Sequence, residues 1–386
     1  MSQSTLHKFT GTHYDIGRQQ GITFQTTIHE AWRAIQQYDL ILALKPRFIP
    51  RNLFFAIAKR KGYNLLADLL QKYCPGQAER IAGIADGAGI DVKILYLIAS
   101  MEIILGVNDY EIPLRGGCTD VAVAKEKTES GDVLFMRNFD FMRFVVPYLR
   151  VRSSAPEGRL KSIDIALHAF PGTFNGMNEA GVAMGTNEVF PLGVERSPGL
   201  PASILIQEAL ETCRNTQEVV ELFRKLPRGS CNKILVADAS GNFVAIEYTP
   251  QQLEAISSTK PFLVATNHYI APELAKIDMP KTAVFGSKAP APLRGHNIQE
   301  TSFFRLATAE NFVRSAGLVN ENWLQRLAAC HFVDGAHQDE WDTICHHDPV
   351  NITATSMIFN LSRRTMQACF GNPCEGSFRE FDPDWN

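Results

Sequence analysis

The tripeptide Gly116-Gly117-Cys118 stands where this chain changes from helical to strand-like texture, and it constrains the fold more than any other feature. Before it, apolar residues recur at helical spacing over residues 16–44, 53–72, 76–88 and 92–104, with Pro50 and Pro75 as punctuation. After it, Val121-Ala122-Val123 and Val133-Leu134-Phe135 flank a Glu129-Ser130-Gly131 turn, which is the pattern of a β-hairpin. A cysteine opening a strand after two glycines suits a backbone that cuts itself. The thiol attacks the Gly117 carbonyl, the acyl group moves from nitrogen to sulfur, and Cys118 is left with a free α-amine. Glycines admit the strained geometry this needs, having no Cβ. An α-amine, with a pKa of about 7.7–8.0, is partly neutral near pH 7 and can serve as base for the adjoining thiol.

At 386 residues the chain has room for one large domain or two ordinary ones. Its 45% hydrophobic and 20% charged residues are those of a soluble globular protein, and a net charge of −3 gives no reason to expect nucleic acid or an anionic membrane as partner. No basic stretch followed by an apolar core opens the chain, so a cytoplasmic protein is expected. The apolar stretch over residues 40–58 is broken by Lys45, Arg47 and Arg51 and is no membrane span. Eight cysteines without a CxxC pair read as buried thiols, so composition alone singles out none as reactive.

Further strands are expected over residues 163–169, 181–187, 234–237, 243–248, 263–266, 353–360 and 365–370, and helices over 201–214, 216–226, 302–315 and 321–329. Strands and helices come in blocks, not in strict β-α alternation, which argues for an antiparallel-rich layered α+β architecture. The expected organisation is a helical lead segment, 1–117, followed by a catalytic body, 118–386, in a four-layer αββα sandwich.

A hairpin turn centred on Glu129 places residue 118 opposite Asp140. Cross-strand neighbours have Cβ atoms about 4.5–5.5 Å apart, so Arg137, Asn138 and Asp140 should lie beside the exposed end of the strand bearing Cys118. A carboxylate there can hold an α-ammonium, and a guanidinium can lower a thiol pKa. The same spacing is equally met by an ordinary Arg137–Asp140 surface ion pair.

In order along the chain stand Phe9-Thr10-Gly11-Thr12-His13-Tyr14-Asp15-Ile16-Gly17, Gly117-Cys118-Thr119, Arg137-Asn138-Phe139-Asp140, Gly176-Met177-Asn178-Glu179-Ala180-Gly181-Val182 with Asn187 after it, Ala265-Thr266-Asn267-His268, Ser302-Phe303-Phe304-Arg305, Ile344-Cys345-His346 and Gly371-Asn372-Pro373-Cys374. This series resembles the acyl-coenzyme A:6-aminopenicillanic acid acyltransferase family and, more distantly, choloylglycine hydrolases and penicillin V acylases, all N-terminal-nucleophile (Ntn) hydrolases with a cysteine nucleophile. The resemblance implies the αββα fold, self-cleavage between Gly117 and Cys118, and no metal or prosthetic group. It implies that Cys118 is the nucleophile and its α-amine the base, and that Arg137 and Asp140 position the new terminus. Asn267 would point its side-chain amide at the developing oxyanion, Asn187 would help through backbone or side chain, and Arg305 would fix Asp140 or the terminus. The implied substrate is a small N-acyl amide cleaved at a linear C–N bond through a thioester. Acyl transfer to an amine, with acyl-coenzyme A as one donor, is the alternative. The two fragments are expected to stay associated, with homo-oligomerisation left open.

Three other readings are weighed. Cys330-His331 and Cys345-His346-His347 carry zinc-ligand chemistry, but their adjacency differs from familiar spaced sites, and no metal is expected. His268 invites a papain-like Cys–His dyad, yet adjacent strand residues point to opposite faces, so Asn267 and His268 should not both face Cys118. An uncleaved ligand-binding or scaffold protein is the non-enzymatic reading; every expected site position holds a competent residue type, which counts against it.

Overall fold

The computed structural model describes residues 5–105, 117–195, 197–287, 289, 291–333, 336–337 and 343–385, so Gly116 lies outside the described residues. Strands β1 (Leu6–Gly11), β4 (Leu149–Pro156), β5 (Ser162–Leu167), β6 (Asn175–Asn178), β7 (Ala183–Glu188), β8 (Asn232–Ala237), β9 (Phe243–Tyr248) and β10 (Leu253–Ser257) form one sheet in that order. The second sheet runs β11 (Phe262–Ala265), β2 (Thr119–Val123), β3 (Leu134–Met142), β14 (Asn351–Asn360), β15 (Thr365–Phe370) and β16 (Arg379–Phe381). A short hairpin pairs β12 (Phe332–Val333) with β13 (Ala336–His337). All pairings in the two large sheets are antiparallel except β1 with β4.

Period-2 alternation assigns the faces. Ala122, Phe135 and Met357 of the second sheet meet Ile163, Met177 and Leu235 of the first in a core between the sheets. The opposite face of the second sheet, through Val121, Val123, Leu134 and Met136, packs on α10 (Glu300–Ser315) and α11 (Glu321–Ala328). The outer face of the first sheet, through Met184, Ile234, Val236 and Ile246, is covered by α1 (His13–Thr23), α5 (Pro75–Ala88), α6 (Val92–Leu105), α7 (Ala202–Thr212) and α8 (Thr216–Lys225). These are the four layers of an αββα sandwich, as expected. Among the described residues no helix is long and apolar enough to cross a membrane.

The lead segment adds a strand to its expected helices and divides one of them. It begins with β1, which joins the first sheet in parallel with β4, Leu6 opposite Val151. The single helix expected over residues 16–44 is three: α1, α2 (Gln25–Gln37) and α3 (Asp39–Ala43), interrupted where Phe24 (φ −110, ψ 16) and Tyr38 (φ −71, ψ 120) leave helical geometry. Helices α1 and α5 touch backbone to backbone. A Cβ on Gly17 would lie 2.1 Å from the Arg80 carbonyl oxygen, and one on Gly83 would lie 2.1 Å from that of Tyr14. Helix α4 (Arg51–Tyr73) packs across α6.

The first hairpin is shifted one position from the Glu129-centred register. Thr119 faces Asn138 and Asp120 faces Arg137, which sets Cys118 opposite Phe139 instead of Asp140. The connection, which includes a 3₁₀ turn at Lys125–Lys127, closes half a residue earlier than the sequence suggests.

Candidate active site

Cys118 is the residue before β2, and the two-residue period puts it and Asp120 on the face turned toward the first sheet. Arg137, Phe135 and Phe139 share the corresponding face of β3. Arg137 is fully buried, and it is fixed from three sides. Its Nη1 donates to both oxygens of Asp120 at 2.8 and 3.0 Å, and its Nη2 donates to the Thr186 carbonyl at 2.7 Å and to the Cys118 sulfur at 3.4 Å. The guanidinium also lies 5.4 Å from the centre of the Phe139 ring. The Arg137–Asp140 surface ion pair is therefore excluded. The two residues are three apart on a strand, point to opposite faces, and are both buried.

Asp120 was not assigned from sequence. Its signal was a carboxylate two residues after the cysteine inside an otherwise apolar strand, where only a paired charge can be buried. Gly185 on β7 makes room for the pair: a Cβ there would stand 2.6 Å from Asp120 Oδ2 and 2.7 Å from Arg137 Nη1. Burial pushes the Asp120 carboxyl up and Arg137 opposes it. Burial works against the Arg137 charge too, but Asp120 outweighs it and the guanidinium is held above its ordinary range. Burial pushes the Cys118 thiol up to about 11, with Arg137 pulling it back and Asp140 and Asp120 adding to the rise. In the continuous chain the sulfur is thus a neutral thiol.

Asp140 is placed by its own register partner, Thr353 of β14, whose hydroxyl donates to Oδ1 at 2.7 Å. Its Oδ2 is buried without a hydrogen-bond partner among the described residues. Burial lifts this carboxyl to about 6, against the nearby charges of His346, Arg305 and Arg137. The backbone of Asp140 also approaches Cys118, its carbonyl lying 3.8 Å from the sulfur.

Arg305 on α10 closes the other side. Its Nη1 donates to the Cys118 carbonyl at 2.5 Å and to the Thr119 hydroxyl at 3.0 Å, and Nη2 donates to Asn267 Oδ1 at 3.0 Å. It therefore bonds residue 118 itself, one of the two positions expected of it. Asn267 spends one amide hydrogen on the Glu188 carbonyl at 2.9 Å, and an amide carries a second. Asn187 donates to Asp120 Oδ2 at 2.6 Å, so its side chain braces the Asp120–Arg137 pair. His268 is turned away: its Nδ1 meets the Ser302 hydroxyl at 2.8 Å and its ring stacks on Phe303 at 3.8 Å. Burial, then Lys233 and Arg305, depress it to about 2, which leaves it neutral and structural.

Two cavities flank the Gly117–Cys118 bond. Cys118 lines an apolar one of about 170 Å³, walled by Ile35, Ile98, Met101, Phe139, Phe170 and Phe174. Gly117 lines a polar one of about 230 Å³, with Asn267, Gln299, Arg305, His346 and Asp348 in its wall. A separate group of His331, Cys345, His347 and Cys374 brings metal-ligand chemistry together.

The sequence profile of the acyl-coenzyme A:6-aminopenicillanic acid acyl-transferase family matches residues 126–375, beginning beyond Cys118. No curated protein sequence matches the chain. Among solved structures, an N-acylethanolamine-hydrolyzing acid amidase ortholog from Caenorhabditis elegans is 13% identical, with a TM-score of 0.42 over 64% of this chain and 93% of that one. A conjugated bile acid hydrolase variant from Clostridium perfringens is 13% identical (TM-score 0.43; 69% and 97% of the two chains). Penicillin V acylase from Agrobacterium tumefaciens is 15% identical (TM-score 0.35; 69% and 86%).

Proposed function

Because the chain belongs to the acyl-coenzyme A:6-aminopenicillanic acid acyl-transferase family, we propose that it is a self-processing cysteine enzyme of the Ntn type that breaks a linear amide through a thioester on Cys118. The observation that carries this reading is the place of Cys118: its sulfur lies against Arg137 and opens on an apolar cavity, while Gly117 adjoins a separate polar one.

In the precursor, Arg305 holds the Cys118 carbonyl and Thr119, fixing the segment C-terminal to the scissile bond. The thiol adds to the Gly117 carbonyl, its proton passes to the departing nitrogen, and water hydrolyses the thioester to leave a Gly117 carboxylate and the Cys118 α-amine. That amine then takes the thiol proton. The resulting ammonium has the unpartnered Asp140 Oδ2 to receive it, and the thiolate has the Arg137 guanidinium beside it. The thiolate attacks the substrate carbonyl, with the second Asn267 amide hydrogen available to the oxyanion. The ammonium protonates the leaving amine, and water releases the acid. The apolar cavity suits an aromatic or aliphatic acyl group, and the polar cavity suits the amine portion. An amine held there in place of water would turn hydrolysis into acyl transfer. Residues 1–117 stay bound after cleavage, because β1 is a strand of the first sheet and α1, α5 and α6 cover that sheet.

Intact mass and N-terminal sequencing test this reading. Wild-type protein should give associated chains of residues 1–117 and 118–386, and Cys118→Ala one inactive chain. Activity is then assayed on N-acyl amides with and without acyl-coenzyme A. An active wild-type protein with its polypeptide whole would overturn the proposal.

A further inference from the structure

We propose that His331, Cys345, His347 and Cys374 bind one structural zinc ion, apart from the catalytic cysteine. The four ligand atoms lie within 4.8 Å of one another. They come from three distant stretches: His331 just past α11, Cys345 and His347 before β14, and Cys374 after β15. The sequence argument against a metal rested on adjacent Cys–His pairs. The fold does not use adjacent residues as a pair. It takes one residue from Cys330-His331, alternate residues from Cys345-His346-His347, and a cysteine that entered neither group.

The distances fit a tetrahedral ion. With Zn–S about 2.3 Å and Zn–N about 2.0–2.1 Å, a sulfur and a nitrogen on one zinc stand about 3.5 Å apart. His347 Nε2 is 3.4 Å from the Cys345 sulfur and 3.2 Å from the Cys374 sulfur. A single ring nitrogen offers one N–H or one lone pair, in one direction, so it cannot bond both thiols well. A cation between them satisfies all three atoms. Two sulfurs and two imidazoles select zinc over magnesium or calcium, and four protein ligands close the shell, as in structural and not catalytic sites.

The surroundings are arranged to hold the ligands. Asn372 Nδ2 donates to the His346 carbonyl at 2.7 Å and lies 3.8 Å from the Cys345 sulfur. His347 makes a bridge to Ile352 at the start of β14. The His346 amide donates to the Thr353 hydroxyl at 2.9 Å, and the Thr353 amide donates back to the His346 carbonyl at 3.0 Å. Thr353 in turn donates to Asp140, so the ion would pin the segment that supports this carboxylate.

The test is metal analysis of the full-length protein purified without chelator, by inductively coupled plasma mass spectrometry. We expect about one zinc per chain. Cobalt substitution should give thiolate-to-cobalt charge-transfer absorption with tetrahedral d–d bands. Cys374→Ser, which alters an exposed residue, and His331→Ala should lose zinc to at least about tenfold less chelator than wild type. Cys213→Ser, remote from the cluster, should match wild type. Wild-type protein without zinc and without the cobalt bands would overturn the site. So would a Cys345–Cys374 disulfide found by peptide mapping, or zinc held equally well by both ligand variants.

Discussion

Asp120 and Arg137 face each other across one rung of the β2–β3 hairpin, and the guanidinium that binds the carboxylate at 2.8 Å also reaches the Cys118 sulfur at 3.4 Å. The position of the Cys118 sulfur against the guanidinium is therefore set by the register of a single hairpin. Asp120 neutralises Arg137 enough to make its burial tolerable, and Arg137 retains a donor for a thiolate.

This pairing predicts a large stability effect at Asp120. Asp120→Ala leaves a fully buried guanidinium without its carboxylate, and removing one partner of a buried pair costs about 3–5 kcal/mol. Urea unfolding should show a loss of that size, with processing impaired as well. A loss below about 1 kcal/mol would mean that Thr186 and Cys118 suffice to hold Arg137.

Gly185 should be sensitive as well, through its packing against the same pair. A methyl group there would meet Asp120 Oδ2 at 2.6 Å and Arg137 Nη1 at 2.7 Å. Gly185→Ala must push the pair aside, with an overpacking cost of about 1–3 kcal/mol and lower turnover. Wild-type kcat in a folded Gly185→Ala protein would show that the guanidinium position is not critical.

Much of this site was legible in the sequence, and the misses have physical causes. The hairpin and the helix–strand boundary follow from period and turn chemistry, and both lie close to where they were expected. Strand β4 was missed because Arg150 and Arg152 make it read as polar. In the fold Arg152 is buried by a two-point pairing with Asp164 at 2.9 and 3.0 Å, which no local pattern announces. The Asp120 partnership was missed because a one-position shift in register changes which residues face each other. His346 and Thr353 stand near Asp140 only through the β3–β14 pairing, with more than 200 residues between them in sequence.

Asn267 should act mainly on turnover. Its carbonyl is held by Arg305 and one amide hydrogen by Glu188, so its second hydrogen is pre-aimed. Asn267→Ala should lower kcat by about 10²–10³ while KM changes little, the pattern of a lost oxyanion donor. Steady-state kinetics with an unchanged kcat would remove it from the reaction.

The apolar cavity should select acyl length. Ala169 is buried in its wall, and Ala169→Phe would fill the space that a long acyl chain needs. The ratio of kcat/KM for long-chain over short-chain N-acyl amides should fall by at least about tenfold, within the range that a few methylenes command. A uniform loss across chain lengths would place the acyl group elsewhere.

Asp140 gives a pH dependence whose sign is fixed by its burial. Its folded pKa, about 6, lies above the unfolded carboxylate value of about 3.9. Between these values the native state binds more protons than the unfolded state, so stability falls as pH rises through that window and levels off above it. In uncleaved Cys118→Ala protein, urea unfolding should therefore show a downward slope from pH 4 to 6, totalling on the order of 2 kcal/mol, that the Asp140→Asn double variant lacks. Cleavage should reverse the balance. A new α-ammonium beside the unpartnered Oδ2 draws the carboxyl down, so the acid limb of kcat/KM in the mature enzyme should lie below pH 6. An acid limb at or above 6 in mature protein would show that the ammonium and Asp140 do not meet.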